Sequence, residues 1–395
     1  MSKVILIDGR NCIFRHHFVN TKLSTDEGFP TGALYGCLNS MIALAKRLPD
    51  ASFVWVWDGG GETWRHRFMN KLPQLDVKKK IENVKEAYGD VQFESDAFIT
   101  TAVQESFQFL GTTPGGGKVY GKPYKEKPQG YKANRVYSES KKKDENKYPT
   151  DERQRALLQI PVLKLILDGA GFRNYEVRGL EGDDLIAILA TYILSFPNKP
   201  EVIIHSGDRD FYQLLAHHRV KILTKLTEGK PLWVTPDEIE AKYGVRPRNW
   251  TKYRAWTGDS GDNIPHLFKV GPKTALKMLD AGMDPSNPDW KHVTEDAQIA
   301  FEKYFPLGIE NMWQSVHGNY KLCQLVTKID DDCLSEGVRK QLEQIFIPMR
   351  AIDPPFAERN EKCKTPEAYR KVSFLLMQYQ LASVLGNLKT LWAIP

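Results

Sequence analysis

Three short, unbroken apolar runs, Val4-Ile5-Leu6-Ile7, Phe53-Val54-Trp55-Val56-Trp57 and Val202-Ile203-Ile204, each stop at a polar turn that carries aspartate. Runs without alternation predict strands buried on both faces, as in a parallel sheet covered by helices. The turns are Asp8-Gly9, Asp58-Gly59-Gly60-Gly61 and Ser206-Gly207-Asp208. Helical periodicity fills the intervals in Thr31 to Leu48, Arg153 to Asp168 and Asp183 to Leu194, where Leu185, Ile186, Ile188 and Leu189 make an apolar face. The pattern predicts an α/β fold with a mostly parallel twisted sheet and helices on both faces.

Residues 62–150 interrupt the alternation with charge, glycine and proline. Within them Leu75 to Tyr88 and Asp96 to Leu110 could each form a helix. The run Pro114-Gly115-Gly116-Gly117-Lys118 is not a phosphate-binding P-loop: the earlier glycine is Thr112, and no hydroxyl residue follows Lys118. From Thr235 the chain turns helical. Thr235-Pro236-Asp237-Glu238 combines an N-cap, a proline at the first helical position and a capping-box glutamate, and Gly244 stops that helix. At 395 residues the chain can hold more than one domain. Its natural divisions are 1–235, 236–285 and a helical stretch 286–395 without a legible motif.

The net charge of +6 is unevenly spread. Between Lys118 and Lys147 ten Lys/Arg face four acidic residues, a surplus as large as that of the whole chain. Such a segment is either a solvated loop or a surface for a polyanion, of which a nucleic-acid backbone is the obvious one. The five cysteines are scattered without metal-ligand spacing, which predicts reduced thiols. The absence of a membrane-length apolar run or a leader pattern predicts a cytoplasmic protein without a membrane partner.

Nine acidic residues cluster where strands end or helices begin: Asp8, Asp58, Glu181, Asp183, Asp184, Asp208, Asp210, Asp259 and Asp262. Ligands of open α/β sheets gather at the carboxyl ends of the strands. Converging carboxylates repel by roughly 4 kcal/mol per pair at about 4 Å and an effective dielectric near 20, so a cation must compensate. Oxygen donors without His or Cys select Mg²⁺ or Mn²⁺, and two such ions can bind both the attacking and the leaving oxygen of a phosphodiester. Taken singly, each cluster also fits a turn, a helix cap or a helix dipole.

The motifs Ile7-Asp8-Gly9, Trp57-Asp58, Gly130-Tyr131-Lys132-Ala133-Asn134-Arg135, Gly179-Leu180-Glu181-Gly182-Asp183-Asp184, Ser206-Gly207-Asp208-Arg209-Asp210 and Gly258-Asp259-Ser260-Gly261-Asp262-Asn263-Ile264-Pro265 stand in an order that resembles the flap endonuclease superfamily. The likeness is nearest to phage 5′-exonucleases and the 5′-nuclease domain of bacterial DNA polymerase I, and it covers about residues 3–285. It implies a PIN-like catalytic domain over 1–235 with a helical arch, a helix-three-turn-helix DNA-binding region over 236–285, and two or more Mg²⁺ or Mn²⁺ ions. Asp8, Asp58, Glu181, Asp183 and Asp184 match the first metal site, and Asp208, Asp210, Asp259 and Asp262 the second. Lys132 matches the arch residue that approaches the scissile phosphate, flanked by Tyr131 and Arg135, and Arg15 matches a substrate-contacting position. Val270-Gly271-Pro272-Lys273-Thr274-Ala275 matches the second half of the helix-hairpin-helix, where Gly271 would permit a turn or a close phosphate approach and Lys273 and Thr274 would begin the following helix.

The implied activity is 5′-3′ exonuclease or flap endonuclease hydrolysis of DNA in replication, repair or recombination. It would be carried out by a monomer in a bacterial or phage-infected cell on DNA with 5′ ends, flaps or nicks, or on RNA primers paired to DNA. Asp8, Asp58, Asp208 and Lys132 are its expected catalytic residues. Two departures stand out. His266 and Lys269 replace hairpin glycines, which leaves two expectations open: a K⁺ bound at the hairpin, as elsewhere in the family, or the charge of Lys269 in its place. About sixty residues between Arg67 and Gly130 replace a short link. A Toprim nuclease would explain Glu181, Asp208 and Asp210 but neither Asp8 nor Asp58, and a haloacid-dehalogenase phosphatase wants DxD where this chain has Asp8-Gly9-Arg10. A noncatalytic DNA-binding scaffold and a PIN-type ribonuclease complete the alternatives.

Overall fold

The computed structural model describes residues 3–71, 111–112, 118–119, 132, 148–227, 230–267, 269–305, 308–350 and 365–394. They fall into two compact units. One comprises 1–64, 139–239 and 325–395, and the other 65–138 and 240–324. Residues 286–395 are thus shared between the two.

The first unit is built on a six-stranded sheet whose order is β5 (Arg173–Val177), β2 (Ala51–Asp58), β1 (Lys3–Asp8), β6 (Glu201–His205), β7 (Val220–Thr227) and β8 (Lys230–Val234). The three apolar runs become its centre: β1 (Lys3–Asp8), β2 (Ala51–Asp58) and β6 (Glu201–His205), parallel and adjacent. Successive side chains point to opposite faces, and both faces are covered. Ile5, Ile7, Phe53, Trp55 and Trp57 pack with α1 (Gly9–Val19), α2 (Gly32–Arg47) and Leu163 and Ile166 of a helix considered below. Val4, Leu6, Val54, Val56, Val202 and Ile204 fill the other side, together with Leu185, Ile186 and Leu189. Each such side chain contributes roughly 1.5–3 kcal/mol on full burial, which is why these segments are strands although local propensity is ambiguous.

The remaining strands are amphipathic. β5 (Arg173–Val177) is a parallel edge strand, β7 (Val220–Thr227) pairs parallel with β6, and β8 (Lys230–Val234) closes the sheet antiparallel to β7. In the second unit a short antiparallel pair joins β3 (Gly111–Thr112) to β4 (Lys118–Val119).

The helix α3 (Trp64–Lys71) follows β2. The helix expected over Arg153 to Asp168 is two, α4 (Glu152–Leu157) and α5 (Gln159–Gly169), the second carrying Leu163 and Ile166. α6 (Gly182–Leu194) carries the acidic pair Asp183 and Asp184 in its first turn. The capping box forms as the sequence predicts: the Thr235 N–H donates to Glu238 at 2.9 Å, and the Glu238 N–H donates to the Thr235 hydroxyl at 3.2 Å, starting α7 (Pro236–Tyr243). Gly244 ends it in the left-handed region, φ 72°. The two helical segments predicted within 75–110 lie outside the described residues.

In the second unit α8 (Trp250–Thr257) precedes the acidic loop and α9 (Pro272–Asp280) follows it, with α10 (Glu295–Phe301) and α11 (Ile309–Cys323) beyond. The chain then returns to the first unit as α12 (Glu336–Arg350), α13 (Pro366–Gln378), α14 (Ala382–Gly386) and α15 (Leu388–Ala393). Val372, Leu376, Leu388 and Leu391 are buried in the same core cluster as α2 and α5. The C-terminal helices therefore complete one face of the sheet. No helix among the described residues is long and apolar enough to cross a membrane.

Candidate metal and phosphate site

Because β1, β2 and β6 run parallel, their carboxyl ends share one edge of the sheet. The chain leaves β1 towards β2 on one side and comes back as β6 on the other, so β1/β6 is a topological switch point, where ligands of open sheets bind. Asp8 is both the last residue of β1 and the N-cap of α1. Its Oδ1 accepts the Asn11 N–H at 2.9 Å and its Oδ2 accepts the Ser206 hydroxyl at 2.7 Å. Asp58 ends β2, accepting the Gly182 N–H at 2.7 Å through Oδ1 and the Arg10 guanidinium at 2.8 Å through Oδ2. Asp208 follows β6. Its N–H donates to Ser206 Oγ at 3.1 Å, and its Oδ1 accepts the Asp210 N–H at 3.0 Å. Asn11 Oδ1 accepts the Gly207 N–H at 3.1 Å and so ties the start of α1 to this loop.

Burial pushes the Asp8 carboxyl up to about 7; the hydrogen bonds from Asn11 and Ser206 oppose the shift, and the neighbouring charges of Asp58 and Asp208 add to it. Burial is the main cause, and a cation at the three strand ends would offset the charge that Asp58 and Asp208 add. The donor set at the three strand ends is oxygen throughout, which fits a hard divalent ion.

The start of α6 lies against the end of β2. Glu181 is its N-cap and accepts the Thr63 hydroxyl at 3.0 Å, and Asp183 is half-buried beside it. Asp184 is turned inward and fully buried. One of its oxygens accepts the Trp64 indole N–H at 3.0 Å, the other the Val326 N–H at 3.0 Å. Asp210 opens a 3₁₀ segment, Asp210–Ala216. The structure thus gathers Asp8, Asp58 and Asp208 and sets Glu181 beside the Gly182 amide that Asp58 holds, while Asp184 joins α3 and the 325–326 segment to α6. Arg15, expected to contact substrate, is engaged inside the unit by the Thr224 carbonyl and by His205 Nε2.

In the second unit Lys132 and Asp262 meet: the Lys132 N–H donates to the Asp262 carbonyl at 2.9 Å, and Nζ lies 3.9 Å from Oδ1. Asp259 pairs with Arg254 and accepts the Gly261 N–H at 2.8 Å. The loop closes on itself through an antiparallel bridge between Asp259 and Ile264, entered by Gly258 at φ 69°, where a side chain would lie 2.5 Å from the His266 amide nitrogen. Tyr131 and Arg135 lie outside the described residues.

The turn anticipated at Gly271 falls at Lys269, whose φ is 52°. Gly271 itself is extended, φ −94° and ψ −178°, and caps α9, with Lys273 and Thr274 in the first turn. A Cβ there would meet nothing within 4 Å. Lysine in the left-handed region is strained by about 1 kcal/mol relative to glycine. The left-handed backbone at Lys269 is a strain that Lys269→Gly would relieve, set against what the lysine side chain contributes through its own contacts.

Arg10, Asn11, Ser206, Thr63 and Arg254 were not singled out from sequence. For Arg10 and Asn11 a signal exists, since both follow Asp8-Gly9 at the first turn of a helix capped by Asp8. Ser206, Thr63 and Arg254 act only through partners that the fold brings in.

The family model for the 5′-3′ exonuclease N-terminal resolvase-like domain matches residues 3–74 and 123–244. The stretch it skips lies inside the insertion between Arg67 and Gly130. A protein named 5′-3′ exonuclease from Aquifex aeolicus is 26% identical over 342 residues, 86% of this chain and 87% of that one. A thermostable DNA polymerase I from Thermus aquaticus is 30% identical over 281 residues, 70% of this chain but 24% of the polymerase. Among solved structures, a T5 5′-exonuclease with bound zinc aligns at 17% identity and a TM-score of 0.49, over 90% of this chain and 100% of that one. The family match runs from β1 past β8 and takes in Asp8, Asp58, Glu181 and Asp208, and with a relative of similar extent beside it the chain belongs to the 5′-3′ exonuclease family.

Proposed function

We propose that the protein is a divalent-cation-dependent 5′-nuclease that hydrolyses DNA phosphodiesters at 5′ ends, flaps or nicks. The observation that carries this is the convergence of Asp8, Asp58 and Asp208 at the β1/β6 switch point, with the Asp8 carboxyl held up to about 7 by burial and by its two neighbours. Asp8, Asp58, Asp208 and Glu181 are the residues that would hold Mg²⁺ or Mn²⁺. When bound, such ions supply a water nucleophile at neutral pH and neutralise charge on the phosphate. The chain contributes the fixed frame: Asn11 and Ser206 orient Asp8, the Gly182 amide orients Asp58, and Ser206 orients the loop bearing Asp208.

Arg10 pairs with Asp58 at 2.8 Å and is placed to balance its charge until metal and phosphate do so. Lys132 is proposed to meet the phosphate, as the family resemblance implies, and the Lys273 and Thr274 turn of α9 to hold duplex backbone through amides. Lys132→Ala is expected to slow single-turnover cleavage by about a hundredfold or more while changing the dissociation constant for DNA little, since a charge at the scissile phosphate acts chiefly on the transition state. A variant that only binds more weakly would make Lys132 a backbone contact.

The activity is tested with end-labelled 5′-flap, nicked and blunt duplexes and a single-stranded RNA of the same sequence. Cleavage in Mg²⁺ of the DNA substrates near their 5′ ends is expected. Cleavage of the RNA alone would replace a structure-specific DNA nuclease by a ribonuclease, and binding without cleavage would leave a scaffold.

A further inference from the structure

We propose that Cys12, His16 and Cys37 form a second cation site, one that takes a thiophilic divalent ion of the zinc class and pins α1 to α2. Cys12 and His16 stand four residues apart on one face of α1, the spacing at which two helical side chains can share a ligand. Cys37 comes from α2. The ligand atoms of the three residues lie within 4.8 Å of one another, and Cys12 Sγ is 3.4 Å from Cys37 Sγ. Gly36 makes the approach possible: a Cβ at that position would lie 2.6 Å from the Cβ and Nδ1 of His16, so only a bare backbone lets the ring rest on α2.

The surroundings point to an occupant. Both sulfurs are buried, and His16 Nε2 is buried without a hydrogen-bond partner among the described residues. The Arg15 guanidinium lies 3.8 Å from Cys12 Sγ, a hydrogen-bonding distance for sulfur, and outer-shell donors of this kind orient metal-bound thiolates. Two thiolates offset a dication, and three protein ligands leave a fourth position for water.

The sulfur separation decides between a metal and a disulfide. Two metal–sulfur bonds of about 2.3 Å at a tetrahedral angle place the sulfurs about 3.8 Å apart, so the pair must open by about 0.4 Å. A disulfide of about 2.05 Å requires it to close by about 1.4 Å across two packed helices. The smaller movement favours the ion.

Cadmium is the probe, because thiolate coordination gives it an ultraviolet charge-transfer band that carboxylate coordination does not. The full chain, reduced and freed of metal, is titrated with Cd²⁺ in excess Mg²⁺. One cadmium per chain with a two-thiolate band is expected, together with a rise in melting temperature. The band should weaken in Cys12→Ser and in Cys37→Ser. His16→Asn keeps both sulfurs and guards against loss of fold, and it should bind cadmium about tenfold or more less tightly. Absence of the band would overturn the site, as would a band unchanged by either serine substitution, which would then belong to the other three cysteines. Recovery of the protein with two thiols lost to oxidation and no metal uptake would overturn it in favour of a disulfide. None of these readouts depends on nuclease activity.

Discussion

Asp8→Asn is expected to make the metal-free protein more stable while abolishing cleavage. Asparagine keeps the N-cap on the Asn11 amide and can still hydrogen-bond the Ser206 hydroxyl, so the local structure survives. What disappears is a buried charge beside Asp58 and Asp208. The folded-state value of about 7 lies above the ordinary carboxyl value of 3.8, so the folded protein holds the proton more tightly than the unfolded chain. Between about pH 4 and pH 7 the folded state binds more protons. Stability conferred by this group is therefore present at low pH, and it is lost as pH rises through 7. Three pH units correspond to roughly 4 kcal/mol, an upper figure for what asparagine would recover at pH 8 in chelator.

His205 runs the other way in the same window. Burial lowers it to about 4, so stability from the neutral ring is lost as pH falls below its unfolded value of 6.5. The difference between wild type and Asp8→Asn across pH isolates the carboxyl. The expected result is a gap in melting temperature that widens from pH 4 to pH 7 and then levels, and an equal melting temperature at every pH would show that Asp8 is not electrostatically frustrated. Function should change in the opposite sense, with cleavage reduced by about a hundred- to thousand-fold, a cost common at sites that trade stability for activity.

Asp184→Ala is expected to destabilise the fold by about 3 kcal/mol or more, because it strips two buried donors, the Trp64 indole and the Val326 amide, of their acceptor. Asp184→Asn should rescue only in part, since one carboxamide oxygen replaces two carboxylate oxygens and its amino group meets a donor. Asp183, half-buried on the same turn, serves as the comparison. Asp183→Asn should cost clearly less in denaturant unfolding than Asp184→Asn, since Asp183 is only half-buried while Asp184 is fully buried. If both substitutions cost the same, the inward anchoring of Asp184 would be wrong.

That contrast shows where sequence reasoning runs out. Asp183 and Asp184 stand side by side in a family motif, but neighbours on a helix point about 100° apart, so one can face the sheet edge while the other is buried. Which one faces inward depends on Trp64 and Val326, more than a hundred residues away in either direction. The central strands were legible because β1, β2 and β6 are covered on both faces and carry no polar interruption. β5 reads Arg173-Asn174-Tyr175-Glu176-Val177, with only Val177 buried, and an edge strand of that kind leaves no apolar run to find. The carboxylates at the strand ends were legible from position alone. Arg10 and Ser206 were not, since their meaning comes from Asp58 and Asp8, residues brought beside them by the sheet. In the loop before α9, glycine at 271 suggested the turn, and the backbone placed it at Lys269 because the residue before a helix-starting proline can remain extended.

The most direct measurement is single-turnover cleavage of a 5′-flap duplex as a function of Mg²⁺ concentration, with wild type and Asp208→Asn compared at equal DNA occupancy. Removing one anion from the strand-end cluster weakens the hold on a cation and leaves the basic surface intact. Wild type should release short 5′ products in Mg²⁺ and none in chelator, while Asp208→Asn binds the duplex with nearly the same affinity and cuts about a hundred- to thousand-fold more slowly at any Mg²⁺ concentration. Cleavage by the wild type in chelator, or an Asp208→Asn variant that cuts at the wild-type rate, would contradict a cation-dependent nuclease centred on the carboxyl ends of β1, β2 and β6.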